Sequence, residues 1–332
     1  MNYGILASVG AWMFVGVAVG IGPGPLAAQA PSSAARTRVL PRTPDGRPSL
    51  EGIWTNATVT PLERPAEFAG REFLTDAEAD EFERRAVTDV NADRRDGPAE
   101  TDVGRAYNEF WRERGKAVST RRSSLIVDPR DGRVPPLTPE GERNIAQRAE
   151  ARRRMGGPFD GADNRSLAER CISMPQAGPP MMPANYSSNY QIVQSPGSIA
   201  ILVEMIHDPR IIPLDGRPHI GKTIRQLVGD SRGRWEGDTL VVDTTNFTDR
   251  TNFRGSGENL HIVERFTRVD EDTLLYHFTV DDSTTWVRSW SAEIPMKKIV
   301  GPIFEYACHE GNYGIAAILS GARAEERAGL KR

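Results

Sequence analysis

The second half of the chain consists of short apolar segments separated by turn residues, and this pattern limits the possible folds more than any other feature. Pro196-Gly197, Asp215-Gly216 and Asp281-Asp282 are typical turn pairs. Such short links join neighbouring antiparallel strands, and no long segment of helical periodicity interrupts them. The candidate strands are residues 190–194, 199–207, 210–214, 239–247, 260–268, 273–280, 285–294 and 303–309.

A succession of about eight such strands predicts a mainly β protein of the α+β class. We expect an antiparallel meander over residues 189–320 that closes into a barrel or a sandwich. A barrel of this size either fills with side chains or encloses one small ligand. The strand number and hairpin spacing are similar to those of calycin-type barrels such as the lipocalins, and only analogy links that likeness to a function.

Residues 51–188 predict a mixed helical and irregular segment that packs on the barrel. Thr75 and Glu78 have the spacing of a capping box, which opens a first helix. Pro139 occupies the first turn of a second helix that runs through Arg154.

Three further stretches have both a ligand-binding and a simpler interpretation. Residues 174–185 hold four prolines and three methionines, which is typical of a packed connector or of a lid over a pocket. The arginines at 152–154 could bind an anion, but a solvated helix end is the favoured interpretation. Residues 254–257 match neither a phosphate-binding loop nor a nucleophile motif, and we interpret them as an interstrand loop.

Residues 1–30 predict a signal peptide. Residues 5–19 are nearly all apolar or small, and Ala28-Gln29-Ala30 is the A-x-A pattern that a signal peptidase cleaves. An uncleaved anchor is the alternative, because no Lys or Arg precedes the apolar run. Residues 31–50, rich in Pro, Ser and Arg, predict a disordered linker, and residues 321–332 a tail.

Charge and hydropathy argue against several classes of partner. The chain has 42 Lys and Arg against 45 Asp and Glu, a net charge of -3, and therefore lacks the basic excess typical of nucleic-acid binding. No later apolar run has the length of a membrane helix, so no membrane association is expected after signal cleavage. We expect a periplasmic or secreted protein whose partner is a small molecule.

Two cysteines, Cys171 and Cys308, predict one disulfide bond. An even number of cysteines in an exported chain favours pairing. The bond would tie the middle of the chain to its last predicted strand. Two buried thiols are the alternative, and metal ligation is disfavoured because no C-x-x-C spacing is present.

Strand alternation indicates which polar groups face the interior. Glu264 falls on the apolar face of the strand 260–268, and Arg288 lies between two tryptophans on the apolar face of the strand 285–294. Burying such charges is costly unless they are paired, so their positions require a physical reason. They are either catalytic or form a structural Glu264 to Arg288 ion pair.

The function predicted from these residues is general acid–base chemistry on a small organic substrate, by a lyase, isomerase or hydrolase. His207 or Glu264 would act as acid or base, and Arg288 would hold an anionic group. The supporting polar candidates are Asp208, Tyr306, His309 and Glu310. The alternative is a non-catalytic, lipocalin-like periplasmic protein that binds a small ligand, and a structural envelope protein is a weaker third interpretation.

No cofactor is predicted. The zinc motif H-E-x-x-H begins at His309 but has Tyr313 in place of the second histidine. A divalent metal held by His207, His219 and His309 is the alternative to ordinary exposed or hydrogen-bonded histidines.

Two sequence runs resemble a family of exported bacterial proteins that largely lack an assigned activity. These are DSRGRWEGDTLVVDTTNF at residues 230–247 and YACHEGNY at residues 306–313. The resemblance implies export and implies no mechanism.

Overall fold

The antiparallel meander is present and curls into a nearly closed barrel, which confirms the predicted mainly β fold class. The computed structural model describes residues 40–104, 109–112, 114–206 and 208–329. The predicted signal peptide and His207 lie outside these ranges. The strands are β1 (Gly52–Thr55), β2 (Ile126–Asp128), β3 (Asn189–Gln194), β4 (Ser198–Val203), β5 (Arg210–Pro213), β6 (Asp230–Glu236), β7 (Thr239–Thr245), β8 (His261–Arg268), β9 (Thr273–Asp281) and β10 (Trp290–Ile299). The α-helices are α1 (Asp76–Asp89), α2 (Ala99–Gly104), α3 (Pro139–Arg154) and α4 (Tyr313–Arg327).

Nine strands follow one hydrogen-bonded path, in the order β5-β4-β3-β1-β10-β9-β8-β7-β6, and β2 pairs with β10 beside it. The end strands β5 and β6 contact each other without a ladder between them. A β-carbon at Gly233 of β6 would lie 2.8 Å from Ile212 and 2.6 Å from Leu214. The missing side chain at Gly233 therefore lets the side chains of β5 close this seam.

Large aromatic side chains fill the barrel. The aromatic residues with at most 2% exposure are Trp54, Tyr190, Phe247, Phe266, Tyr276, Phe278, Trp286 and Trp290. Their rings pack at tilted and edge-on angles, for example Trp286 against Trp290 with ring centroids 6.1 Å apart. Each buried ring contributes roughly 1.5–3 kcal/mol through the hydrophobic effect. Within the described part of the chain, these rings occupy the barrel interior.

Two predicted strands are wrong. Residues 282–289 form a turn rather than the start of the strand 285–294, because the buried Asp282 accepts hydrogen bonds from the hydroxyls of Ser256 and Thr285. β10 consequently begins only at Trp290.

Residues 303–309 are irregular. Glu204 accepts the backbone N–H of Phe304 at 2.8 Å, and Phe304 itself is 70% exposed. The segment lies off the sheet, and α4 follows it. Much of the predicted tail, residues 321–332, thus belongs to a helix.

Two regions are more ordered than their composition indicated. Residues 230–236 lie outside the candidate strands but form β6, whose charged residues occupy the outer face. Residues 40–50, within the predicted disordered linker 31–50, pack on the barrel: Leu50 is fully buried and Arg42 pairs with Asp238.

The helices predicted from their first turns form as expected. The Thr75 hydroxyl accepts the N–H of Glu78, and the Glu78 carboxylate accepts the N–H of Thr75. Thr138 caps α3 and donates its hydroxyl proton to the carbonyl of Thr284, which attaches this helix to the turn after β9. Within the described ranges, none of the helices is long and apolar enough to cross a membrane.

The predicted disulfide between Cys171 and Cys308 is confirmed. It joins the irregular segment before β3 to the segment before α4. Asn312 donates to the carbonyl of Glu169 at 3.2 Å, and Arg323 of α4 donates to the carbonyl of Phe159 at 3.0 Å. The disulfide and these bonds together hold α4 against residues 159–171.

Replacing both cysteines by serine should lower the free energy of unfolding by about 2–5 kcal/mol, because the bond closes a long loop in the unfolded chain. Urea denaturation measures this loss. A reductant should lower the stability of the wild type to that of the double variant and leave the variant unchanged. Equal stability of the two oxidised proteins would show that the bond adds nothing.

Candidate functional site

Glu264 faces the barrel interior, as strand alternation predicted, and is fully buried. Arg210 donates to both of its carboxylate oxygens, at 2.8 and 3.0 Å. The hydroxyl of Tyr276 donates to Oε1 at 2.9 Å. Such a two-pronged arginine contact is the strongest geometry available to a buried carboxylate.

The predicted cation partner of Glu264 is wrong, since Arg210 takes the place expected for Arg288. Arg288 lies in the turn 282–289, outside the strand alternation, where it is exposed and pairs with Asp128 at 2.5 Å. Arg210 is the first residue of β5. Its side chain is buried, whereas the side chain of the next residue, Ile211, is exposed. The same parity rule would have found it.

Residues 174–185, called the plug here, are bonded to this interior cluster. The hydroxyl of Tyr276 accepts the N–H of Met181 at 2.9 Å, and the hydroxyl of Tyr190 donates to the carbonyl of Gln176 at 3.0 Å. Met181 is fully buried. Burial and the nearby Glu264 charge raise the pKa of Tyr276 well above its usual value, so this hydroxyl stays a donor.

This geometry is that of a structural ion pair, one of the two alternatives for Glu264. The two carboxylate oxygens of Glu264 accept three hydrogen bonds, and none of the Glu264 surface is exposed. A general acid or base must reach the proton that it transfers. The structure provides no such access to Glu264.

The other predicted site residues are spread over the surface. Asp208, His309 and Glu310 are exposed, and Tyr306 is half-buried beside Tyr186. Residues 303–309 lie off the sheet, so strand alternation does not turn their side chains towards the interior. Catalytic roles for these residues and for His207 stay predictions.

The metal alternative has no support from the described part of the chain. Within it, no group of three or more His, Cys, Asp or Glu is placed to hold a metal ion. His219 contacts Asp230 and Asp243, whereas His309 lies before α4. A metal triad that includes His207 stays a prediction.

Two pockets lie outside the barrel, beside α3, the plug and the segment before β8, and Asn252 and Arg254 line both. We call them the arginine compartment and the apolar compartment of an outer cleft. The arginine compartment has a volume of about 720 Å³ and is lined by Ile145, Arg148, Ala149, Arg152, Arg153 and Pro158 among others. The apolar compartment has a volume of about 310 Å³ and is lined by Leu167, Met174, Pro179, Met182, Leu227, Val228 and Phe253 among others.

Four arginines line the arginine compartment, and one of them, Arg153, pairs with Glu150 at 3.2 Å. Arg148 and Arg152 occupy successive turns of α3, and Arg148 donates to the carbonyl of Gly255 at 2.6 Å, an uncharged partner. Arg254 is paired with Glu63 at 2.7 Å. No carboxylate belongs to the described residues that line either compartment.

The floor of the apolar compartment is attached to the barrel core. The ring of Phe253 stacks on that of Trp290, with centroids 6.2 Å apart. The plug contributes Met174 and Met182 from its outer side, while its Met181 points into the core. The compartment is therefore built on packed side chains.

The glycines within residues 254–257 allow this segment to pack closely against α3. Gly255 has a φ of +97°, and a β-carbon there would lie 2.6 Å from the side chain of Ile145. Ser256 is fully buried and donates to Asp282 at 2.5 Å, so it is not placed as a nucleophile.

Sequence reasoning missed the outer cleft because its walls come from segments far apart in the chain. The arginines at 152 and 153 were interpreted as a solvated helix end, and both line the cleft. The alternative interpretation of this run as an anion site was the one available signal.

Comparisons with protein-family models, with curated proteins and with solved structures give no significant match.

Replacing Arg210 by alanine should destabilise the protein by about 3–5 kcal/mol, because Glu264 is left buried without a cation. The matched change at the exposed pair, Arg288→Ala, should cost less than about 1 kcal/mol. Urea denaturation of both variants measures the difference. Equal losses would contradict the assignment of Arg210 as the partner of Glu264.

Proposed function

We propose that this protein binds a small amphipathic anion in the outer cleft and does not chemically change it. The observation that carries the proposal is the junction of an apolar compartment with an arginine compartment that no described carboxylate lines. Ligand sites are typically concave and mostly apolar, with a few charged groups that orient the ligand. Both compartments have this character.

The apolar compartment would take the hydrocarbon part of the ligand. Its methionine, proline, leucine and phenylalanine side chains offer dispersion contacts, and each buried methylene contributes about 0.8 kcal/mol. Methionine side chains adapt to chains of different shape. This part of the cleft favours an apolar body over a sugar or a nucleotide.

The arginine compartment would take a carboxylate, sulfonate or phosphate group. Arginine stays charged at every physiological pH and binds such groups through two parallel N–H donors. Arg148 and Arg152 are the best placed, since neither makes a described contact with a carboxylate.

Export to the periplasm or the medium is part of this proposal. The Cys171–Cys308 disulfide supports it, because such bonds persist in oxidising compartments. The enzymatic alternative keeps its predicted acid–base residues, but the closed environment of Glu264 favours the binding function.

Decanesulfonate, below its micelle concentration, should bind with a measurable heat by isothermal titration calorimetry. Methanesulfonate lacks the apolar body and decyltrimethylammonium has the opposite charge, so both should bind at least about tenfold more weakly. Equal binding of the ammonium and sulfonate probes would contradict the proposal.

Two variants locate the binding. Arg148→Gln should weaken decanesulfonate binding by about tenfold, because a charge-assisted hydrogen bond contributes about 1.5–3 kcal/mol. Ala168→Trp should fill the apolar compartment and also abolish binding. The control Arg143→Gln, also on α3 but outside the described lining, should bind as the wild type does. Loss of binding in that control would point to a non-specific charge effect.

A further inference from the structure

A third pocket, with a volume of about 410 Å³, borders the arginine compartment, and we call it the carboxylate compartment. Arg148 and Gly255 line both of these pockets. None of the described residues lines both the carboxylate compartment and the apolar compartment. The three compartments therefore follow one another in the order apolar, arginine, carboxylate.

Carboxylates outnumber arginines in the described lining of the carboxylate compartment. Asp249, Glu258 and Asp282 belong to this lining, and Arg148 is its one cationic side chain. In the arginine compartment the described lining has four arginines and no carboxylate. The charge of the lining thus reverses between two adjoining pockets.

The three carboxylates differ in the partners that they already have. Burial alone would raise the pKa of Asp282, but hydrogen bonds from three neighbouring hydroxyls bring it below its ordinary value, so this group stays charged. Glu258 pairs with Arg225 at 3.4 Å. Asp249 is exposed and contacts no cation within the described part of the chain. Asp249 is therefore the carboxylate best placed to bind a cationic group of a ligand.

Gly257 brings the two charged sides close together. A β-carbon at this position would lie 2.8 Å from a guanidinium nitrogen of Arg148 and 2.9 Å from the Cα of Asp249. The guanidinium and the backbone of Asp249 thus adjoin the same glycine. A ligand that contacts both residues needs only a short linker between its anionic and cationic groups.

Neutral polar groups complete the carboxylate compartment and indicate the kind of cation that fits. The described lining includes the side-chain oxygens of Asn144, Gln147, Asn259 and Thr284, which accept N–H donors. The same lining has no aromatic ring, whereas aromatic cages are typical of sites for quaternary ammonium groups. The compartment therefore favours a primary ammonium, which donates three hydrogen bonds.

The order of the compartments also restricts the anionic group. A carboxylate or a sulfonate ends the molecule that carries it at the charged group, whereas a phosphodiester continues on both sides. In this structure the arginines lie between the apolar and the carboxylate compartments. A phosphodiester is accordingly the anion that lets one ligand reach all three.

We propose that the ligand of the outer cleft is a single-chain phosphodiester with a terminal primary ammonium group, and that the carboxylate compartment binds this ammonium. The hydrocarbon chain lies in the apolar compartment, the phosphate against Arg148, and the ammonium beside Asp249. This inference rests on the ligand-binding function proposed above and names the chemical class of its ligand.

Calorimetric titration at about pH 7, with decyl probes below their micelle concentrations, tests the contribution of the ammonium, which is fully charged at this pH. Decyl 2-aminoethyl phosphate carries the ammonium, and decyl propyl phosphate has a methyl group of similar size in its place. The aminoethyl probe should bind about fivefold more tightly, which is the gain expected of one exposed ion pair.

A decyl sulfobetaine tests the order of the charges, since its ammonium precedes its sulfonate and its net charge equals that of the aminoethyl probe. It should bind at least about tenfold more weakly than the aminoethyl probe, because each of its charges meets a compartment of like charge. Equal binding of these two zwitterions would overturn the inference.

Two variants locate the ammonium. Asp249→Asn should bind the aminoethyl and propyl probes equally. The control Glu142→Gln removes an exposed carboxylate of α3 outside the described lining and should keep the fivefold preference. An unchanged preference in Asp249→Asn, or its loss in both variants, would overturn the inference.

The probes separate this inference from the function on which it rests. If neither decanesulfonate nor any decyl phosphate binds, the proposed function fails. If decyl propyl phosphate binds the wild type as tightly as the aminoethyl probe does, the cleft binds amphipathic anions as proposed and this inference fails.

Discussion

The bidentate ion pair between Arg210 and Glu264 is the contact on which the rest of the barrel depends. Arg210 comes from β5, an end strand of the sheet, and Glu264 comes from β8. The pair therefore reaches across the interior. It holds β5, which has a hydrogen-bonded neighbour strand on one side only. Because Tyr276 bonds both Glu264 and Met181, the same cluster fixes the plug. A shifted strand would leave both charges buried and unpaired, which disfavours that arrangement.

Aromatic side chains occupy the described interior of the barrel, and the two compartments of the outer cleft lie outside it. The plug shows the division most clearly: Met181 packs into the core, while Met174 and Met182 line the outer cleft. The side chain of Phe253 joins the two regions through its contact with Trp290. The barrel accordingly supports the loops and α3, which carry the side chains of the proposed binding site.

Strand alternation was sufficient to place Glu264 inside, because β8 is long and its apolar face is unmistakable. It failed for Arg288, since the hydrogen bonds of Asp282 end the alternation before β10. Arg210 obeys the rule, but β5 has only four residues and gives a weak pattern. The sequence pattern did not predict β6 for another reason. Its inward positions include a glycine and a serine, so apolar periodicity is nearly absent. The outer cleft needed tertiary structure, because no single segment contains its walls.

The seam at Gly233 has a consequence for how this molecule can associate with itself. Side chains close it, and the facing edges of β5 and β6 share no ladder. Edges of this kind are templates for strand addition from another chain. Opening the barrel along this line would separate β5 and break the buried Arg210–Glu264 pair. The pair thus opposes the intermolecular strand pairing that this edge would otherwise permit.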